Sequence, residues 1–152
     1  MTKFTHISSS GEIRMVDISD KPQTDREAIA AGKISMQPDT VAAVAAENLS
    51  KGNVLATAKL AGIQAAKQTA SLIPLCHPLS IDWIDIEIGQ EKDGFEIRAC
   101  VRVREATGVE MEALTAVAVT ALTIYDMCKS ADKNMRISDI RLIKKTGGRS
   151  AK

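Results

Sequence analysis

The clearest pattern in the chain is a regular alternation of apolar and polar side chains over residues 84–88 and again over residues 95–104. Alternation with a period of two predicts strands that bury one face. The residues between them, 91–94, read Glu-Lys-Asp-Gly, and Asp-Gly is a strong signal for a hairpin turn. The middle of the chain is therefore predicted to form an antiparallel hairpin.

Three segments carry apolar or small residues at steps of three or four, which predicts helices. The first begins at Pro38, which a first helical turn tolerates, and extends to about Leu49. The second begins after Asn53, whose side chain suits an N-cap, and extends to about Thr69. Its stripe of small residues allows another element to approach closely. The third and longest helix is predicted over about 108–130.

Two further strands are predicted on either side of these elements. Residues 26–36 keep apolar side chains at even-numbered positions, which favours a strand, although their alanines would also suit a helix. Residues 137–143 form the last predicted strand, and residues 12–19 a short extended segment. The order strand, two helices, hairpin, helix, strand predicts an α+β sandwich with the helices on one face of an antiparallel sheet. Residues 1–12 are predicted to be a flexible tail before a single domain over 13–150.

Composition narrows the classes of partner. Twenty Lys and Arg oppose nineteen Asp and Glu, so the chain has no overall field to hold nucleic acid or an acidic membrane, and any anion site must be local. Aromatic residues make up only 3%, too few to stack a nucleic acid strand. Three widely spaced cysteines suit a reducing compartment. Since the chain also starts without an apolar signal core, we expect a cytoplasmic protein with no nucleic-acid or membrane partner.

A proline-framed loop holds the first candidate for chemistry. Pro74 and Pro78 keep the residues before them extended, so the loop should be stiff enough to fix His77. The alternative is a buried linker whose histidine bonds a backbone carbonyl. Cys76 and His77 are adjacent and point opposite ways in an extended segment, so no metal site is predicted.

The two ends of the long helix hold further candidates. Thr107 and Glu110 have the spacing of a capping box, and a carboxylate at Glu112 is favoured near a helix start. Asp126 and Lys129 form either a surface ion pair or part of a basic cluster. Fourteen residues of helix separate Glu112 from Asp126 by about 21 Å. A site that uses both ends therefore requires two subunits, with their helices antiparallel about a two-fold axis.

Six segments of the chain resemble the cyclic pyranopterin monophosphate synthase family. They are Met15-Val-Asp-Ile-Ser-Asp-Lys-Pro22, Lys51-Gly52, Ala61-Gly-Ile63 with Ala65-Ala-Lys67, Leu72-Ile-Pro-Leu-Cys-His-Pro78, Thr107-Gly-Val-Glu-Met-Glu-Ala-Leu-Thr115 and Leu122-Thr-Ile-Tyr-Asp-Met-Cys-Lys129. The resemblance implies a ferredoxin-like α+β subunit, assembled as a hexamer (a trimer of dimers) with sites at subunit interfaces. It extends from Met15 to Ser150.

The resemblance also implies a reaction in molybdenum cofactor biosynthesis. The family converts 3′,8-cyclo-7,8-dihydro-GTP, made by an upstream radical GTP cyclase that hands it over, into cyclic pyranopterin monophosphate and diphosphate. The conversion includes attack of a ribose-derived hydroxyl on the α-phosphorus and involves no net redox change. No cofactor is therefore expected. The one exception left open is a Mg²⁺ ion bound to the substrate triphosphate.

The family pattern assigns site residues by position. It implies that Asp126, Lys51 and Lys129 are catalytic. The residues implied to bind substrate are Leu75, Cys76, His77, Met111, Glu112, Arg26, Lys67 and Lys145. Departures from the pattern are Asn53, Gln64 and Arg149, where the family usually has Asp, an apolar residue and Lys.

The roles of the two catalytic lysines can be separated by their surroundings. An amine acts as a base only when neutral, and a nearby carboxylate opposes deprotonation. We therefore expect Lys51 to be the base, and Lys129, close to Asp126, to stay charged as acid or phosphate partner. The rival class is a non-enzymatic ferredoxin-like oligomeric module that binds a regulatory nucleotide. In that class the lysines would be buried against carboxylates.

Overall fold

Four strands and four helices make up the part of the chain that the computed structural model describes, residues 4–47 and 49–148. In chain order they are β1 (Thr24–Ser35), α1 (Pro38–Ala45), α2 (Val54–Lys67), α3 (Thr69–Leu72), β2 (Trp83–Glu91), β3 (Gly94–Glu105), α4 (Glu110–Cys128) and β4 (Arg136–Thr146).

The strands form one antiparallel sheet in the order β2-β3-β1-β4. β1 lies in the interior of this sheet, with Ala30 opposite Ala99 of β3 and Ile34 opposite Ile137 of β4. α4 packs on β1, β3 and β4, whereas α2 packs on β2 and against α4. This chain order and strand order are those of a ferredoxin-like sandwich, so the predicted fold class is confirmed.

Small side chains set the distance between α4 and the sheet. Ala28 and Ala30 of β1 and Ala113 and Ala116 of α4 are fully buried. A Cβ atom on Gly32 would come within 2.7 Å of Val117 Cγ1, so the strand has no room for a side chain there. The alanines that made β1 ambiguous in the sequence therefore have a packing role, because they let the longest helix lie close to the sheet.

Most predicted elements are present, with shifted ends. α1 ends at Ala45 instead of near Leu49, and Glu47 just beyond it has a positive φ of 54°, which a helix does not continue through. Asn53 caps α2 as predicted, since its side chain accepts a hydrogen bond from Ala56 N. The predicted extended segment over 12–19 is not a strand, and only an isolated bridge joins Ile13 to Ile7.

Residues 4–14 form a small exposed turn that this bridge closes. Ser8 N donates to Glu12 O, and Arg14 N donates to His6 O. The expected flexibility of residues 1–12 stays a prediction, and residues 1–3 and 149–150 lie outside the described residues.

The apolar run at 113–125 is part of α4, a helix of 19 residues. By length and composition alone α4 would pass as a membrane-spanning helix. It packs instead on three strands and on α2, which is the environment of a core helix.

The crossing of α2 and α4 depends on Gly62. A methyl group at Gly62 would overlap Thr120 Oγ1 and lie within 2.5 Å of Ile86 Cδ1, and neither neighbour is exposed enough to move away easily. We predict that Gly62→Ala lowers the free energy of unfolding by about 1–2 kcal/mol, because overpacking outweighs the gain in helix propensity. Urea unfolding measures this change.

Gly89→Ala is the control for this prediction. The nearest atom to a Cβ there is Glu96 O at 4.0 Å, so the added methyl group meets no obstacle. An unfolding midpoint for Gly62→Ala at or above that of the native chain would contradict the close crossing.

Candidate active site at the two ends of α4

Two lysines surround one carboxylate at the C-terminal end of α4. Lys129 Nζ lies 2.6 Å from Asp126 Oδ1. Lys51 Nζ donates to the backbone oxygen of Asp126 at 3.0 Å and lies 3.9 Å from its Oδ2. We call these three residues the C-terminal cluster. The three residues that the resemblance implies to be catalytic therefore lie together within a single chain.

The C-terminal cluster is open to solvent. The side chains of Lys51, Asp126 and Lys129 are 45%, 63% and 56% exposed, so their pairing adds little to stability. Hydrogen bonding to Lys129, reinforced by the nearby charge of Lys51, holds the pKa of Asp126 below its ordinary value. The same hydrogen bond raises the pKa of Lys129. Asp126 therefore stays anionic and Lys129 cationic, both within reach of a ligand.

Local structure explains how the three groups meet. Asp126 lies in the last turn of α4, and Lys129 is the C-cap residue, so the two are neighbours on the helix surface. Lys51 belongs to the turn before α2, which Gly52 allows with a φ of 87° and closes by donating to Leu49 O. The packing of α2 on α4 then brings this turn to the end of α4.

A second group of carboxylates lies at the start of α4. Glu110 Oε1 accepts a hydrogen bond from Lys145 Nζ at 2.8 Å, and its Oε2 is buried without a hydrogen-bond partner. The predicted capping box is wrong: Val109 is the N-cap residue and no side chain caps the helix. The physical reason is that α4 begins at Glu110, so Glu110 is the first helical residue instead of the third one that a capping box requires, and its carboxylate pairs with Lys145 of β4.

Glu112 is a buried carboxyl group in the first turn of α4. It is only 4% exposed. Burial, assisted by the negative charge of Glu110, raises its pKa to about 7. Burial, followed by the charges of Glu112 and Glu110, also raises the pKa of Cys76. We call Cys76, Glu110, Glu112 and Lys145 the N-terminal cluster.

The loop after α3 brings His77 against the chain's N-terminal segment. His77 Nε2 lies 2.8 Å from Val16 O. Because a carbonyl only accepts hydrogen bonds, Nε2 carries the proton of that bond. The alternative of a histidine tied to a backbone carbonyl is therefore realised. It is compatible with a site role, since Nδ1 has no hydrogen-bond partner within residues 4–47 and 49–148.

The remaining predicted residues are spread around these clusters. The Arg26 side chain donates to Glu105 O at 2.9 Å and to Ala106 O at 3.1 Å. Lys67 is the exposed last residue of α2, and Leu75 and Met111 are half-buried. Across the described ranges, no group of three or more His, Cys, Asp or Glu residues could hold a metal ion.

One chain does not bring all predicted residues together. The rise of α4 places Glu112 and Asp126 about 21 Å apart, so the two clusters are separate in the subunit. Sequence reasoning assigned Glu110 to a helix cap and missed its pairing with Lys145. The sequence signal that could have marked Glu110 as a site residue was its position in the segment 107–115, which resembles a family motif.

The fold and the two clusters define a class: a ferredoxin-like α+β domain whose candidate site offers amines and carboxyl groups for proton transfer. The sequence model of the MoaC family matches residues 15–148. The chain therefore belongs to the MoaC family.

Curated relatives support this assignment over nearly the whole chain. The chain is 55% identical to the cyclic pyranopterin monophosphate synthase of Nostoc sp., over 97% of this chain and 89% of the relative. It is 55% identical to the synthase of Desulfatibacillum aliphaticivorans, over 99% and 96%. It is also 60% identical to a molybdenum cofactor biosynthesis bifunctional protein of Chlorobaculum tepidum, of which it spans about half (48%).

The raised pKa of Glu112 predicts a pH dependence of stability. Between about pH 4.5 and 7 the folded chain holds a proton on Glu112 that the unfolded chain has lost. The contribution of this group to the free energy of unfolding therefore falls as the pH rises through that window and stays low above it. We predict that Glu112→Gln matches the native chain near pH 4.5 and exceeds it by up to about 3 kcal/mol near pH 8.

Urea unfolding at both pH values and fixed protein concentration measures this difference. Glu87→Gln, at an exposed position of β2, is the control and should leave the pH dependence unchanged. Equal pH slopes for native chain and Glu112→Gln would show that Glu112 titrates normally.

Proposed function

We propose that this chain converts 3′,8-cyclo-7,8-dihydro-GTP into cyclic pyranopterin monophosphate with release of diphosphate. This makes it a phosphorus–oxygen lyase of molybdenum cofactor biosynthesis. Membership of the MoaC family and relatives named for this synthase activity support the proposal. The observation that carries it is the C-terminal cluster, where two amines reach one anionic carboxylate in an exposed setting.

The chemistry of the reaction needs several proton transfers and no redox centre. Opening one ring and closing two others requires groups that accept and return protons at carbon-bound nitrogen and oxygen. We assign the base to Lys51, which meets Asp126 chiefly through a neutral backbone oxygen. We assign the charged acid or phosphate partner to Lys129, because its hydrogen bond to Asp126 favours the ammonium form.

The triphosphate needs positive charge that a carboxylate does not already neutralise. Arg26 meets this need, since its guanidinium donates to two backbone carbonyls and pairs with no carboxylate among residues 4–47 and 49–148. Lys145 is paired with Glu110 and offers less net charge. We therefore rank Arg26 and the exposed Lys67 ahead of Lys145 as phosphate anchors, with Mg²⁺ as a companion of the substrate where the anchors do not suffice.

A complete site requires a second copy of the chain. The two clusters lie about 21 Å apart on one helix. A single nucleotide-sized substrate is too short to contact both of them in one subunit. An antiparallel partner helix would place one copy's N-terminal cluster beside the other's C-terminal cluster. The outward side of α4 suits this packing, because Leu122 is 55% exposed and the residues one and two turns before it, Ala118 and Leu114, are half-buried.

We extend this proposal to a hexamer built as a trimer of such dimers, located in the cytoplasm and supplied with substrate by the upstream radical cyclase.

The competing hypothesis, a non-enzymatic module that binds a regulatory nucleotide, requires lysines buried against carboxylates. Lys145 and Glu110 fit that requirement in part. The C-terminal cluster does not, because its charges are exposed and its two lysines exceed its single carboxylate.

Incubation with the cyclised dihydro-GTP, scored for diphosphate and for a pterin that carries a cyclic phosphate, tests the activity. In this assay we predict that Lys51→Arg lowers turnover by a factor of about 100 or more, because arginine does not deprotonate and acid–base groups contribute on this scale. Lys129→Arg keeps a cation beside Asp126 and should lose no more than about tenfold.

Arg98→Lys, at an exposed position of β3 away from both clusters, is the matched control. If Lys129→Arg proves the more damaging of the two substitutions, the acid and base assignments are reversed. No diphosphate release by the native chain would reject the proposed function itself.

The shared site predicts complementation between inactive variants. Glu112→Ala and Asp126→Ala subunits should each be inactive alone. When the two variants are mixed and allowed to exchange subunits, they should regain part of the native turnover. The reason is that one of the two sites in a mixed dimer combines two intact clusters. Native mass spectrometry verifies the exchange, and the absence of any recovery in verified mixed oligomers would contradict a pocket shared between subunits.

A further inference from the structure

We infer that Glu47 and Asn53 form a clasp that positions Lys51 for the proposed reaction. Asn53 Nδ2 donates to Glu47 Oε1 at 2.8 Å, while Asn53 Oδ1 accepts from Ala56 N at 2.9 Å. One side chain thus fixes both the start of α2 and the opposite side of the turn that carries Lys51. The inference rests on the proposed function, since it concerns the placement of its base.

The turn needs such a closure because its backbone is unusual at both sides of Lys51. Glu47 has a φ of 54° and Gly52 a φ of 87°. A non-glycine residue in the left-handed region is held there by its surroundings. A hydrogen bond between the two sides of the turn, with an ionised acceptor, supplies this constraint and is stronger than a neutral one.

The position of Lys51 Nζ depends on the conformation of the turn that carries this residue. Its Nζ reaches Asp126 O, 75 residues further along the chain, at 3.0 Å. The flexible stem of a lysine allows many positions of Nζ, and a fixed Cα narrows them to those near Asp126. Small displacements of a catalytic group cost large factors in rate, so loosening the clasp should lower turnover more than stability.

The contribution of the clasp can be separated from helix capping. Aspartate, the usual residue of the family pattern at this position, caps a helix about as well as asparagine. In this chain, however, its carboxylate would face Glu47, to which it cannot donate and which it repels. In Glu47→Gln the new amide oxygen still accepts from Asn53. In the double variant Glu47→Gln/Asn53→Asp the new amide donates to the new carboxylate, so the bond is restored with its polarity reversed.

The experiment is this double-mutant cycle on the full chain. We expect Asn53→Asp to lower kcat about tenfold, because a small displacement of a catalytic group has an effect on this scale. KM and the unfolding midpoint should change little, because the lost hydrogen bond is exposed. Glu47→Gln alone should stay near native, and the double variant should recover most of the lost kcat. Thr57→Ser, which keeps a hydroxyl able to donate to Asn53 O, is the control on the same turn of α2.

Hydrogen exchange of the amides at 49–53 provides a measurement that does not depend on the reaction. Exchange should accelerate in Asn53→Asp and return toward the native rate in the double variant. Unchanged exchange in Asn53→Asp, or no recovery in the double variant, would overturn the clasp. If the variants show this exchange pattern but the native chain releases no diphosphate, the proposed function is rejected. The clasp then remains a structural feature of the turn.

Discussion

The close packing of α4 between the sheet and α2 is the constraint on which the candidate site depends. Gly32 lets Val117 approach β1, and Gly62 lets Thr120 and Ile86 meet at α2. With small side chains at both contacts, α4 has little freedom to slide or tilt. Its two ends are therefore fixed points of the subunit. The C-terminal cluster lies at one end, the N-terminal cluster at the other, and the rise of the helix sets the distance between them.

The two clusters differ in how they hold charge. Asp126 is exposed and its pKa is lowered by Lys129 and Lys51, so this end presents ions that stay charged near neutral pH. Glu112 is buried and its pKa is raised to about 7. This end of the helix therefore holds a group that can gain or lose a proton near neutral pH. A reaction that must both neutralise phosphates and move protons gains from such a difference, because neither cluster supplies both properties alone.

Local patterns predicted those parts of the fold that local interactions determine. The alternation in β2 and β3 and the cap at Asn53 are properties of short segments, and both are present. The pairing of Glu110 with Lys145 is not local: it requires β4 to lie beside β1, in a sheet order that no short segment encodes. The Thr107–Glu110 spacing predicted a cap because a capping box is the best local partner available. In the folded chain α4 begins at Glu110, too late for Thr107 to cap it, and the carboxylate pairs with a lysine from a distant strand.

The same reasoning explains which site residues could be found from the sequence and what their placement required. The motif resemblance implied Lys51, Asp126 and Lys129 as site residues without knowledge of the fold, yet only the packing of α2 on α4 brings Lys51 to Asp126 O at 3.0 Å. Asn53 was recognised as a helix cap, whereas its second bond, to Glu47, depends on the left-handed backbone of Glu47, which spacing does not reveal. A residue that caps a helix and closes the turn before it links secondary structure directly to the position of a reactive amine. The geometry of the C-terminal cluster is therefore set both by the core, which fixes α4, and by the turn, which fixes Lys51 against it.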